Sequence, residues 1–316
     1  MKEEIKEKVL VLGGSGFLGS EILENLINKF NLISISRFEP KRSDILWIPT
    51  KDLYTIDGKN KIIKLKPDKI IYTTFIAHQK YLKNNSFKNE SKSINYNLLK
   101  IIIDIALIIE CKKFIYISTA GVYGINSLSK YPITENSKIY PKSEYAKMKL
   151  YCENYLLNKL SNSNVKYTIL RPCLIYGKRI KGNLFLLKNI IDSGLPLPFK
   201  YRNNWRSFLG VDNFVSLIHE CLINPSANNE IFVVSDKEQI SLFSLVSLIA
   251  SVRFKRNMFF GLSFLLYFLK RLFYFKKYYY HLYSDLVINS SYVRKRLSWD
   301  QPKSQQIGIL EAFHFK

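Results

Sequence analysis

Apolar residues in this chain recur at two spacings that take turns. Val9-Leu10-Val11-Leu12 is apolar at every position, which suits a strand buried on both faces of a parallel sheet. Directly afterwards, between Glu21 and Phe30, the residues Ile22, Leu23, Leu26, Ile27 and Phe30 fall at helical spacing. The exchange then repeats. "NLISIS" predicts a strand ending near Ser36, and residues 44–56 carry a poor signal, read as loop plus a weak third strand. "KIIYTT" predicts a clear strand after Pro67-Asp68, "SINYNLLKIIIDIALIIE" a helix, and "KKFIYIST" the next strand. Ser143 to Leu160 predicts a helix, and "KYTILRP" a strand stopped by Pro172. Strands separated by helix-length crossovers imply an α/β fold, a doubly wound parallel sheet with helices on both faces.

The alternation breaks at Pro172. "GLPLPF" reads as loop, "WRSFLG" as a strand, Asp212 to Leu222 as a helix, and "EIFVVS" as a further strand of the main sheet. From Ser241 onward the chain reads as helical and aromatic. The expected organisation is a nucleotide-binding domain over 1–176, with returning segments at about 207–235. A second, smaller, mostly helical substrate domain is expected from 177–206 and 236–316.

The 316 residues, 47% of them hydrophobic, can bury a sizeable core. The net charge of +23 raises nucleic acid, an acidic membrane surface or an anionic substrate as partners. The lysines are spread over the whole length, and no recognition-helix, zinc-finger or RNA-binding signature accompanies them. Nucleic acid is therefore not expected as a partner. Cys111, Cys152, Cys173 and Cys221 are scattered without metal spacing, which predicts reduced thiols, no metal site and a cytoplasmic protein. No signal-peptide pattern precedes the first strand. The aromatic, basic segment 257–283 has an uncharged run of only about half a bilayer span. It reads as packed helices, with peripheral membrane contact as the alternative.

Two constellations carry chemistry. Gly14-x-Gly16-x-x-Gly19, overlapped by Gly13-x-x-Gly16-x-x-Gly19, sits between a strand and a helix. In that context the glycines allow a tight turn, a backbone close enough to touch a pyrophosphate, and a helix N-terminus aimed at negative charge. The alternative is a glycine turn that merely closes the unit. Tyr145 and Lys149, in "SEYAKMK", are four apart on one helical face. An ammonium beside a phenol is expected to lower its pKa and allow proton exchange near neutral pH. In a chain with 21 tyrosines this spacing also arises as a plain solvated face. Ser118-Thr119, at the end of a predicted strand, supplies a hydroxyl that could hold the same substrate oxygen.

Together these residues resemble the extended short-chain dehydrogenase/reductase family, the NAD(P)-dependent enzymes of nucleotide-sugar epimerisation, dehydration and reduction. The resemblance rests on Gly13, Gly16 and Gly19, on Asn95 in "INYN", on "YISTAGVYG", on Tyr145 and Lys149, and on "LRPCLIYG" with Arg171 and Pro172. It implies a Rossmann-type fold, with Thr119, Tyr145 and Lys149 as catalytic residues. It implies cofactor contacts from Gly13, Gly16, Phe17, Leu18, Gly19, Ser36, Arg37, Asn95 and Lys149. "GNLFLLKNIIDSGLPLPF", "NNWRSFLGVDNFVSLI" and "INSSYVRKRLSW" resemble the branch that reduces the 4-keto group of UDP-linked N-acetyl-2,6-dideoxy sugars for surface polysaccharide. That implies Asn183 and Arg206 near the UDP pyrophosphate, a UDP-linked amino sugar as substrate, and a homodimer as one option. Family dehydratases carry Asp-Glu after the catalytic threonine. Ala120 and Gly121 stand there instead, which leaves dehydration without its acid and base. "TTFIAH" departs from the usual turn beside the cofactor, so His78 is read as structural.

An acid closing the second strand would bind the ribose 2′-hydroxyl of NAD, whereas an arginine accommodates the 2′-phosphate of NADP. Ser36-Arg37 closes it here, with Glu39 past the turn, so NADP(H) is the expected cofactor, with NAD the alternative. A reductase consuming NADPH is expected. A 4-epimerase with tightly bound NAD and a non-catalytic NADP-binding protein are the competing readings.

Overall fold

Each apolar run of the first half forms a strand, and each helical stripe packs over the sheet those strands build. The computed structural model describes residues 6–74, 85–124, 132–179, 183–193, 204–253 and 286–314, without the side chains of 85–93, 183 and 253. Among them the strands are β1 (Lys8–Leu12), β2 (Asn31–Ser36), β3 (Leu46–Pro49), β4 (Lys69–Tyr72), β5 (Lys113–Ile117), β6 (Lys166–Pro172), β7 (Leu174–Tyr176), β8 (Trp205–Gly210), β9 (Glu230–Val234) and β10 (Gln239–Ser241). The helices are α1 (Phe17–Leu26), α2 (Ile56–Leu65), α3 (Asn85–Ile108), α4 (Glu144–Leu160), α5 (Asn183–Asp192), α6 (Val211–Ile223), α7 (Leu242–Arg253), α8 (Ser291–Leu297) and α9 (Gln305–His314).

Seven strands form one sheet in the order β3-β2-β1-β4-β5-β6-β9, a Rossmann-type arrangement. Its pairings from β3 through β6 are parallel. The register puts Leu12 beside Ile35 and Tyr72, Tyr72 beside Tyr116, and Ile117 beside Leu170. The carboxyl ends of five strands therefore stop in one row, where α/β sites form. The core of this unit is the aliphatic face between sheet and helices, including Leu10, Ile33, Ile70, Ile102, Phe114 and Leu156.

The chain divides into two compact units. One comprises Met1–Val122, Ser143–Arg171 and Leu217–Phe232, the other Tyr123–Lys142, Pro172–Ser216 and Val233–Lys316. The second has its own three-stranded sheet, β10-β8-β7, and its own core around Phe208, Val246, Ile249, Ile309 and Phe313. β8, read from the sequence as part of a segment returning to the first domain, pairs with β7 and β10 in this smaller sheet.

The helix α2 falls where the sequence offers no element. Thr55 caps it by accepting a hydrogen bond from Gly58 N at 3.0 Å. Its apolar side is short, with Ile62 buried and Ile63 and Leu65 partly so, among lysines and an asparagine that hide the stripe.

Candidate active site

The row of strand ends begins at the glycine loop. Gly13 adopts φ of +88°, where a side chain is strained, and its N–H donates to Ile35 O at 2.7 Å. A Cβ at Gly13 would lie 2.6 Å from Thr73 Oγ1 and 2.7 Å from Thr74 Oγ1. A Cβ at Gly19 would fall 2.1 Å from Gly13 O, so α1 is pressed against the loop more closely than any side chain permits. Gly16 begins α1 without a side-chain cap, and its first turn carries no acid. The first backbone N–H groups of a helix have no acceptor within it, so those of Phe17, Leu18 and Gly19 suit an anion. This cradle fits a dinucleotide pyrophosphate.

At the end of β2, Ser36 is buried and its hydroxyl donates to Phe38 O at 2.6 Å, while Trp47 Nε1 donates to Ser36 O at 3.2 Å. Arg37 is exposed beside this braced turn, its guanidinium 5.9 Å from the Phe38 ring centroid. Glu39 is also exposed. Asp44 is bound to Arg42 in a bidentate pair, with contacts of 2.9 and 2.7 Å.

α4 starts at Ser143, whose hydroxyl accepts from Ala146 N at 3.1 Å. Its buried face carries Ala146, Met148, Lys149, Cys152, Glu153, Leu156 and Leu160. Two charged residues thus occupy positions where an amphipathic helix ordinarily places apolar ones. Lys149, 2% exposed, donates from Nζ to Ile117 O at 2.7 Å and lies 4.8 Å from the Tyr116 ring centroid. Burial brings its ammonium down to about 8, opposed by Cys152 and Glu153. One turn earlier, Tyr145 is half-buried, and burial pushes its phenol up to about 12. This differs from the expected depression by Lys149. The desolvation of the phenol dominates, and the ammonium is engaged by the end of β5.

Thr119 follows β5 and is half-buried, with Oγ1 accepting from Gly121 N at 3.0 Å. The turn it opens packs against α4: a Cβ at Gly121 would meet Thr119 Oγ1 at 3.3 Å and the Ala146 Cβ at 3.6 Å. Gly121, hydrogen-bonded to Thr119, thus lies against Ala146, the residue after Tyr145. Ser118, also buried, has a hydroxyl without a hydrogen-bond partner among the described residues. Asn95 is buried on α3, and its backbone O accepts from Tyr72 OH at 3.4 Å.

In the second unit, Arg206 is half-buried on β8, beside Leu286 in a parallel bridge. Asn183 is the first residue of α5, and its side chain lies outside the described residues, as do His78 and the whole segment 257–283. Sequence reasoning missed Glu153. It is wholly buried and held by Arg171 of β6, with Nη2–Oε2 at 2.6 Å and Nε 3.2 Å from each oxygen. The available signal was its place four residues after Lys149 on the helix predicted over Ser143 to Leu160. The four cysteines are buried and free. Among the described residues no helix is long and apolar enough to cross a membrane, and no group of His, Cys, Asp and Glu could hold a metal ion.

Comparison with known proteins places this arrangement. The sequence model of the NAD dependent epimerase/dehydratase family matches residues 9–235. The chain is 27% identical over 255 residues to a UDP-glucose 4-epimerase of Vibrio cholerae, covering 77% of this chain and 75% of that protein. It is 24% identical over 277 residues to a dTDP-4-dehydro-6-deoxyglucose reductase of Escherichia coli, covering 80% and 83%. The crystal structure of the Bordetella bronchiseptica enzyme WbmG in complex with NAD and UDP has the same fold, with a TM-score of 0.71 at 16% identity over 96% of this chain and 93% of that one.

Proposed function

The chain belongs to the NAD dependent epimerase/dehydratase family and is an enzyme, and on that premise we propose that it reduces the C4 ketone of a UDP-linked 2-acetamido-2,6-dideoxy-hexose destined for surface polysaccharide. The observation that carries this reading is the exposed Arg37, rather than an acid, at the braced end of β2, which suits the 2′-phosphate of an exchangeable NADPH. Tyr145, whose phenol burial pushes up, is protonated at neutral pH and can give its proton to a ketone oxygen. Ala120 and Gly121 supply neither acid nor base for dehydration.

In this mechanism the glycine loop and the uncapped start of α1 would hold the pyrophosphate of NADPH, with Asn95 contributing from α3, and the cofactor would supply the hydride for C4. Tyr145 gives its proton to the C4 oxygen as that oxygen gains charge, turning the ketone into an alcohol. Lys149, protonated below about 8, stabilises the phenolate left behind until solvent returns the proton. The Thr119 hydroxyl orients the carbonyl. Asn183 and Arg206 take the UDP diphosphate, where a guanidinium fork suits two phosphate oxygens. Arg37 would take the adenosine 2′-phosphate, which would give a preference for NADPH.

The relative named UDP-glucose 4-epimerase favours a second reading, 4-epimerisation with retained NAD. One assay separates the two. Purified protein with NADPH and a UDP-2-acetamido-2,6-dideoxy-4-keto-hexose should lose nicotinamide absorbance in stoichiometric proportion to sugar. Epimerisation of UDP-GlcNAc with only catalytic NAD, and no consumption of NADPH, would replace the reductase reading by the epimerase one.

A further inference from the structure

The inference concerns how the catalytic helix is held, and it rests on the reading of Lys149 given above. Tyr145, Lys149 and Glu153 follow one another at intervals of four along α4, so they share a face. Lys149 and Glu153 each anchor that face to a different strand. Lys149 Nζ donates to Ile117 O at the last residue of β5. Glu153 takes three contacts from Arg171, which stands on β6 directly after Leu170, the partner of Ile117. The strands themselves are joined just beyond, where Ser118 N donates to Leu170 O at 2.7 Å. The two anchors lie one helical turn apart, about 6 Å along the axis. They therefore fix both the height and the rotation of α4 over the strand that leads to Thr119.

The same contacts settle a charge problem. Lys149 and Arg171 are two cations under one helix, 2% and 4% exposed. Glu153, wholly buried, is an anion whose charge favours the Lys149 ammonium. The groups facing Lys149 include Tyr116 from the sheet and Cys152 and Glu153 from α4. On α3, which packs against α4, Tyr96 and Asp104 lie near Cys152 and Tyr155. Without the carboxylate, the Arg171 guanidinium would lose these three contacts while remaining out of water.

We propose that Glu153 is a positioning residue for the reaction: clamped by Arg171, it keeps Lys149 an ammonium seated on Ile117 O and sets the place of Tyr145 beside Thr119. Glu153→Gln keeps the shape of the side chain and removes its charge. It should lower kcat about tenfold at neutral pH with KM for the sugar nearly unchanged, and move the alkaline limb of kcat down by about one pH unit. Glu153→Asp, which retains the charge, should keep the limb near the wild-type position. Should Glu153→Gln fail to fold, the double variant Glu153→Gln/Arg171→Met removes both buried charges, a change such sites often tolerate. Its limb should lie below that of the wild type, by less than about one pH unit.

A merely structural role would lower the folded fraction and leave the limb in place in every variant, which would overturn the proposal. The titration of Lys149 should also be followed directly, by carbon NMR of its Cε in lysine-labelled protein, assigned with Lys149→Met. That readout needs no substrate. An unmoved Lys149 titration in Glu153→Gln sinks this inference alone. A moved titration together with full turnover in Lys149→Met sinks the reductase mechanism and leaves the electrostatic link standing.

Discussion

The two units each bury a carboxylate, and they satisfy it by different means. In the first, Glu153 is met by the guanidinium of Arg171. In the second, Asp236 is met by neutral donors: Tyr176 OH at 2.8 Å, Asn213 Nδ2 at 2.7 Å and Gly210 N at 3.0 Å. The Asp236 cluster joins segments far apart in the sequence, since Asn213 also bonds the backbone of Lys303 in both directions and Tyr176 packs on Gly308. Neutral donors are enough to tie segments together. Burial accordingly holds the Asp236 carboxyl above its ordinary range, with those donors opposing. Around Glu153 a full ion pair is kept one turn from Lys149, although buried ion pairs seldom stabilise a fold over apolar packing. The difference suggests that charge is retained where chemistry uses it and avoided where only architecture is at stake.

If that is right, substitutions in the two places should have opposite signatures. The largest effect is expected from Lys149→Met. Turnover should fall by about a thousandfold, roughly 4 kcal/mol of transition-state stabilisation, while thermal stability holds or rises because a buried ammonium is gone. Steady-state kinetics beside a melting curve would check both halves, and loss of stability in step with activity would dissolve the contrast. Next comes Asp236→Ala, which leaves three donors facing a cavity. It should cost about 3 kcal/mol of stability, read by denaturant unfolding, with the kcat of the remaining folded enzyme close to wild type.

Arg37→Ala lies outside the comparison and calibrates it. The ratio of kcat/KM for NADPH over NADH should fall about tenfold, an effect kept modest by the exposure of the guanidinium to solvent. The smallest effect concerns pH. An acid whose folded value is raised contributes stability that is full below its unfolded value and is lost as pH climbs through the folded one. The Asp236 contribution should therefore fade as pH rises out of the acid range, and Asp236→Asn should flatten that slope in melts between about pH 3 and 7. A slope identical in both proteins would deny Asp236 its raised value.

Much of this was legible in the sequence because local pattern and tertiary role agree. The unbroken apolar run at Val9–Leu12, the glycines behind it and the Ser143 cap each say locally what the fold then uses. α2 was not legible, since its lysines and asparagine leave Ile62 its one fully buried large apolar side chain and its start depends on a threonine cap in a weak segment. β8 reads correctly as a strand, but which sheet it joins is decided by β7 and β10, which are too short to announce themselves. At the site, the Tyr145–Lys149 spacing was readable and its electrostatics were not. Whether an ammonium or desolvation governs a phenol depends on burial, and on the carbonyl of Ile117 lying 32 residues before Lys149. Glu153 was hidden for the same reason, because its partner lies 18 residues on, in another element.

The central claim is that Tyr145 delivers the proton while its helix neighbours hold the charge that remains. Single-turnover oxidation of NADPH by the UDP-linked 4-keto sugar, in wild type and Tyr145→Phe under saturating cofactor and sugar, tests it most directly. The account predicts a loss of about a hundredfold or more in the phenylalanine variant, with NADPH binding unchanged. Equal rates in the two proteins would contradict it.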